Sequence, residues 1–165
     1  MSLPQRKKLR LEDYNYNENG AYFITICTKN RQPILCNIVG TGVPDRPKNV
    51  GTGVLDRPIK TELLNCGKIA DKYINNIPQV TKYVIMPDHI HLILCLDNRD
   101  DEGIVPYKSV SNIVRSFKTM VTKEVGTSLF QRSFYDHVIR NFQDYIETFG
   151  YIENNPSNWF IKNNP

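Results

Sequence analysis

The sequence has no apolar run near the roughly 20 residues that a membrane-spanning helix requires. Its opening segment, MSLPQRKKLRLEDY, is basic but has no apolar stretch of the kind that directs secretion. A cytoplasmic protein without a membrane partner is the expectation. There is no CxxC pair: Cys27, Cys36, Cys66 and Cys95 are scattered, and Cys27 and Cys95 lie in apolar, strand-like runs. Reduced thiols are therefore expected rather than disulfides or a zinc ribbon. No GxGxxG or Walker sequence follows any strand, so the common nucleotide-binding turns are excluded. Histidine is scarce. Two of the three histidines nevertheless fall two positions apart in one apolar stretch, YVIMPDHIHLIL (83–94).

What is present suits one domain spanning residues 1–165: 165 residues, 40% hydrophobic and 23% charged, with seven Phe, nine Tyr and one Trp as core material. The net charge of +4 says little by itself about a polyanionic partner. Placement says more: basic residues gather in RKKLR (Arg6 to Arg10), and Lys108, Arg115, Lys118 and Lys123 surround one predicted helix.

The stretch AYFITICT (21–28) reads as a strand. A variable Gly/Pro-rich loop follows at about 37–60, in which VGTGVPDRP recurs as VGTGVLDRP eleven residues later. Two copies do not make a solenoid, so an extended surface loop is expected. Residues 61–76 fit an amphipathic helix that opens near Thr61 and closes before Pro78. The histidine stretch reads as one strand through Leu96, with Pro87 at an edge or bulge, and DNRDDEG (97–103) as an acidic turn. Residues 109–124 form a helix with an apolar stripe of Val110, Ile113, Val114, Phe117, Met120 and Val121. Its basic edge is either a solvated face or a DNA-facing one. LFQRSFYDHVIR (129–140) is extended and carries His137, and a last helix begins at Asn141 as N-cap and ends at Pro156. Strands and helices mixed this way indicate α+β rather than a doubly wound parallel sheet.

Side chains two apart on a strand share a face, so His89 and His91 offer half of a metal site. Ile90, Leu92 and Leu94 then point into a core. Two buried, unpaired imidazoles would be costly, so they require partners or a cation. Cys95 shares their parity but lies roughly 13 Å from His91 along a strand, too far to join them. Other donors must come from another element. In the last helix, a buried stripe centred on Phe149 takes in Phe142, Ile146 and Ile152, with Tyr145 near it. Tyr151 and Asn155, one turn apart, fall off that stripe. They are either a solvated edge or a nucleophile and an oxygen ligand. Gly150, unfavourable inside a helix, suggests close approach by something bulky.

MPDHIHLIL, FQRSFYDHVIRN and YIENNP, in this order and spacing, resemble the HUH-type single-tyrosine transposases, specifically the REP-associated tyrosine transposases. The resemblance runs from AYFITICT to YIENNPSNW. It implies a ferredoxin-like antiparallel sheet with the histidine pair at its centre and helices packed on it. It implies that His89, His91 and Asn155 bind a divalent metal, Mg²⁺ or Mn²⁺, and that Tyr151 is the nucleophile. The implied activity is that of a transposase and endonuclease that cleaves and rejoins single-stranded DNA at hairpin, REP-like sites through a 5′-phosphotyrosine. The DNA is expected along a basic track of Lys108, Arg115, Lys118, Lys123, Arg132 and Arg140, with bases on exposed aromatics. Phe130 stands where many relatives have Trp, and the VGTGV duplication lengthens a variable loop. His137 is left as structural or DNA-contacting, and a monomer and a homodimer stay equally open. Two other readings remain: a catalytically silent DNA-binding module of the same fold, and a metal-dependent hydrolase of small substrates.

Overall fold

In a computed structural model of the protein, residues 19–40, 59–96 and 109–163 are described. RKKLR, the DNRDDEG turn, Lys108 and all of the duplication except Val39 and Gly40 lie outside them. Strand β1 (Gly20–Cys27) alternates cleanly, with Tyr22, Ile24 and Ile26 wholly buried on one side. It pairs antiparallel with β5 (His89–Leu96) on one flank and β6 (Tyr135–Ile139) on the other. With β4 (Val80–Ile85) outside β5, the sheet has the order β4-β5-β1-β6, and every pairing is antiparallel. Helix α1 (Asn65–Ile74) precedes β4, and α2 (Val110–Val125) connects β5 to β6. The resulting β-α-β-β-α-β core is the expected α+β, ferredoxin-like arrangement, with the histidine strand in its interior.

The two faces of this sheet are covered differently. Tyr22, Ile24, Ile26, Ile90, Leu92 and Leu94 pack under α1 and α2. The alternate residues Phe23 and Ile93 meet α3 (Phe142–Asn163) through Ile152 and Phe149. Among the described residues no helix is long and apolar enough to cross a membrane. All four cysteines are free, and the buried Cys36 thiol donates to the Ile85 carbonyl. Burial pushes that thiol up to about 12.

Four expectations are corrected. Residues 61–63 are not helical: they end β3 (Ile59–Leu63), which pairs with β2 (Cys36–Gly40) as a separate two-stranded ladder. Ile59, Thr61 and Leu63 alternate with exposed Lys60 and Glu62, a period of two, and the partner strand lies far away in sequence. The ends of the expected loop at 37–60 are thus strands. Next, the histidine stretch is two strands. Pro87 sits in the tight turn between β4 and β5, closed by Met86 N–H donating to the His89 carbonyl, where no ladder donor is required of it.

Pro156 does not end α3, which continues seven residues beyond it. Proline within a helix costs about 3 kcal/mol. Packing of the extension offsets this: the Phe160 ring lies so close to Gly40 that a Cβ there would meet it at 2.7 Å. Finally, Phe142 and Ile146 are exposed, and the buried residues of α3 are Thr148, Ile152 and Asn155. The inward face is therefore rotated from the one the Phe149-centred stripe implies.

The Asn141 cap expected for α3 is present, and α2 is capped at both ends. The Ser109 hydroxyl accepts from Asn112 N–H at the start of α2, and Gly126 closes that helix at φ 80°. Asn141 Oδ1 accepts from Asp144 N–H at the start of α3. His137 binds the Asp144 carboxylate at 3.1 Å, so it ties β6 to the first turn of α3. The Arg140 backbone N–H, and after it His137, hold the Asp144 carboxyl below its usual range.

Two helical glycines make opposite predictions. A Cβ at Gly67 would overlap the Leu35 carbonyl, whereas one at Gly150 meets nothing within 4 Å. Gly67→Ala should destabilise the protein by about 1–3 kcal/mol. Gly150→Ala should stabilise it by up to about 1 kcal/mol. Urea unfolding of both variants checks this, and equal effects would contradict the packing at Gly67.

Candidate active site

His89 and His91 project from the α3 side of β5, and their rings lie 4.5 Å apart, centre to centre. The register explains their company. Thr25 of β1 is directly opposite His91, and its hydroxyl lies 2.8 Å from His91 Nδ1. Phe23, one step along the same face, stacks on the His91 ring at 5.1 Å and 25°. Asp88 Oδ1 lies 2.6 Å from His89 Nδ1, and Arg31 approaches the other carboxylate oxygen at 3.4 Å. With each Nδ1 engaged, Nε2 is the nitrogen each ring can offer a ligand.

Both imidazoles are buried, and burial pulls both down. For His89 this outweighs Asp88, which acts in the opposite direction. His91, beside His89 as well, is held down to about 3. Both rings are neutral at pH 7, the form that ligates metals.

Helix α3 lays Thr148, Tyr151, Ile152, Asn155 and Trp159 toward the sheet, at i, i+3, i+4, i+7 and i+11. The Tyr151 ring is 5.3 Å from His91 and 5.9 Å from Phe23, both edge-on, yet half of the residue remains exposed. Trp159 lies 6.2 Å from His89. Tyr151 and Asn155 are thus not on the side remote from the core: the same face that carries Ile152 brings Tyr151 to the histidines. Asn155 is buried, and its side chain makes no hydrogen bond among the described residues.

An amide whose side chain makes no hydrogen bond among the described residues is free to accept a ligand. Among the described residues no three His, Cys, Asp or Glu side chains could hold a metal together. A cation here would therefore depend on the two imidazoles and an amide oxygen, a mixed set that suits Mn²⁺ better than Mg²⁺.

The described basic residues of the expected DNA track are not gathered at this site. Arg115 and Lys123 are exposed on α2, in the layer across the sheet from Tyr151. Arg132 and Arg140 are exposed on either side of β6. Lys118 is not on an open edge: its ammonium donates to the carbonyls of Gln131, Arg132 and Ser133 at 2.8, 3.4 and 2.9 Å. Burial pulls it down to about 8, against a smaller opposing effect of Cys27. Phe130 is a core residue against Phe117, so its difference from Trp concerns packing. Gly150 has open space rather than a close neighbour.

Sequence reasoning missed Thr25, Phe23, Arg31, Asp88 and Trp159. Asp88 was within reach as a carboxylate adjoining the histidine pair. The others arrive through strand and helix packing, and no local pattern marks them.

No protein-family model matches the chain. It is 27% identical over 179 residues to an uncharacterized protein of Haemophilus influenzae, covering 93% of this chain and 89% of that one. It is 32% identical over 79 residues to a REP-associated tyrosine transposase of Escherichia coli K12, covering 47% of this chain and 44% of that protein. A solved REP-associated tyrosine transposase, bound to a REP hairpin, superposes with a TM-score of 0.55 at 22% identity. The match covers 96% of this chain and 74% of that one. The fold is that of a REP-associated tyrosine transposase. The likeness to this transposase extends over nearly all of the chain, as the sequence resemblance implied.

Two measurements test the geometry. Because the folded state holds His91 neutral, its contribution is complete above pH 6.5 and declines as the pH falls from 6.5 toward 3. The unfolded chain takes up a proton in that window and the folded one does not. The metal-free protein should lose up to about 1.4 kcal/mol per pH unit there from this group. His91→Asn should flatten that part of a stability–pH curve. Lys118→Met strands three carbonyls and should cost about 1–3 kcal/mol of stability in thermal unfolding.

Proposed function

We propose that this chain is an HUH-type, REP-associated tyrosine transposase that nicks and rejoins single-stranded DNA through Tyr151. One observation carries the reading: a half-exposed tyrosine stands edge-on to a buried, neutral histidine pair, and one turn along the same helix is an asparagine whose side chain makes no hydrogen bond among the described residues. Structural side chains would not need this combination. A core tyrosine would be covered.

In this reading Tyr151 Oη attacks the scissile phosphorus, and the bond to the 3′ oxygen breaks. A 5′-phosphotyrosine and a free 3′-OH result, and reversal by a 3′-OH rejoins the strand. His89, His91 and Asn155 would hold a divalent cation, which when bound supplies positive charge to polarise the phosphate and ease departure of the 3′ oxygen. Phe23 and His91 hold the phenol ring by its edge contacts and leave its outer part open to DNA.

The substrate class we propose is supported by the similar transposase, which was solved bound to a REP hairpin. Hairpin-forming single-stranded DNA is the proposed partner. Arg132 and Arg140 flank the edge strand β6 and are the described cations best placed for its backbone, with Arg115 and Lys123 farther along. Lys108 keeps its proposed DNA-binding role from sequence alone, while Lys118 serves the loop it holds. The test is a covalent-adduct assay with labelled hairpin DNA and Mn²⁺, in which wild type should form an adduct and Tyr151→Phe none. An adduct from Tyr151→Phe would remove the nucleophile assignment and direct attention to Tyr135, which is half exposed, and then Tyr145.

A further inference from the structure

We propose that Asp88 is a positioning residue: it fixes His89 with its Nδ1–H directed inward, so that Nε2 is presented to a cation. The inference rests on the cation reading above and extends it to a residue outside the ligand set. Asp88 Oδ1 lies 2.6 Å from His89 Nδ1. An ionised carboxylate only accepts, so Nδ1 must carry the proton and Nε2 must be free of it. Thr25 sits in the corresponding place at His91 Nδ1, but a hydroxyl can donate or accept and does not dictate the tautomer. The two histidines are therefore held by unequal means, and Asp88 is the one that decides.

Asp88 is itself held from three directions. Thr28 N–H and the Thr28 hydroxyl both donate to its backbone carbonyl, at 2.9 and 3.0 Å. Leu35 N–H donates to the Pro87 carbonyl beside it at 3.0 Å. Arg31 Nη1 donates to Oδ2 at 3.4 Å, leaving Oδ1 for His89.

The segment that delivers Arg31 is backbone of an uncommon kind. Asn30 and Arg31 both have φ 54°, two successive non-glycine residues in the left-handed region. Such backbone persists where its surroundings determine it. Here they do: Lys29 N–H donates to the Leu129 carbonyl, and Gln131 Nε2 donates to the Thr28 carbonyl. The extended segment carrying Gln131 thereby supports the turn that carries Asp88. This gives Gln131 a part in the site through Thr28.

The test uses the full chain, with three variants beside wild type. Long-range ¹H–¹⁵N correlations on metal-free, ¹⁵N-histidine protein report the His89 tautomer, and EPR of free Mn²⁺ reports affinity. Wild-type His89 should be the Nδ1–H tautomer. Asp88→Asn should mix the tautomers and weaken Mn²⁺ binding 10- to 100-fold, the usual effect of losing an outer-shell partner of a ligand. Asp88→Glu restores a carboxylate and should recover part of both. The backbone bonds of Thr28 and Leu35 remain in these variants, and circular dichroism verifies the fold. Asp144→Asn breaks a histidine–carboxylate pair away from the site and should leave Mn²⁺ affinity at the wild-type value. If Asp88→Asn keeps both the tautomer and the affinity of a wild type that binds Mn²⁺, the role of Asp88 is overturned alone. A wild type that binds no Mn²⁺ overturns the cation site and the role of Asp88 together.

Discussion

The antiparallel pairing of β1 with β5 determines which side of the sheet each imidazole meets. With Thr25 opposite His91 and Cys27 opposite His89, the histidines share a face with Phe23, and Ile90, Leu92 and Leu94 go to the α1–α2 core. A slip of one residue would invert this, with imidazoles buried among aliphatics and isoleucines turned toward α3. Burial of Tyr22, Ile24 and Ile26 on the same core face makes that slip prohibitive. The register that builds the hydrophobic core is the one that assembles the polar site. Core and site are thus two consequences of one alternation.

Helix α3 brings the second half of the site, and it does so against its own sequence. Gly150 and Pro156 both weaken a helix interior, and both lie within six residues of Tyr151. The helix persists because its inner face meets the sheet through Ile152 and Phe149, while Phe160 lies over Gly40. Lys82 adds an ion pair to Glu153 at 2.8 Å and lies over the Phe149 ring. Packing to β4 and to the β2–β3 ladder therefore sets the height of Tyr151 above His91. Local propensity contributes little there.

Much of the fold was legible because alternation and helical periodicity are local. The β1 strand, α2 and the Asn141 cap of α3 all follow from residues within a few positions of each other. The misread parts have different causes. Residues 61–63 are strand because Cys36–Gly40 lie beside them. Tyr83–Ile85 belong to a different strand from His89 because the chain reverses at Pro87. In the site, the histidine spacing was readable, but the orientation of Tyr151 was not. A hydrophobic stripe averages over a helix, and exposed Phe142 and Ile146 pulled that average away from the face that packs.

The division of the sheet also constrains how a long substrate could lie. The side chains of the proposed site are under α3, whereas the exposed cations of α2 occupy the opposite layer. A strand running along α2 would not reach Tyr151 without crossing an edge of the sheet. The β6 edge is the route marked by charge, with Arg132 before it and Arg140 after it, and Tyr135 exposed in the same cross-strand row as Thr25 and His91. At that edge the Lys118 ammonium holds the carbonyls of residues 131–133, and Gln131 reaches back to Thr28 behind Asp88. One short segment thereby links the surface where DNA would enter to the group that orients His89. A change in Gln131 should accordingly be felt at both places, whereas a change in Arg115 should be felt only at the surface.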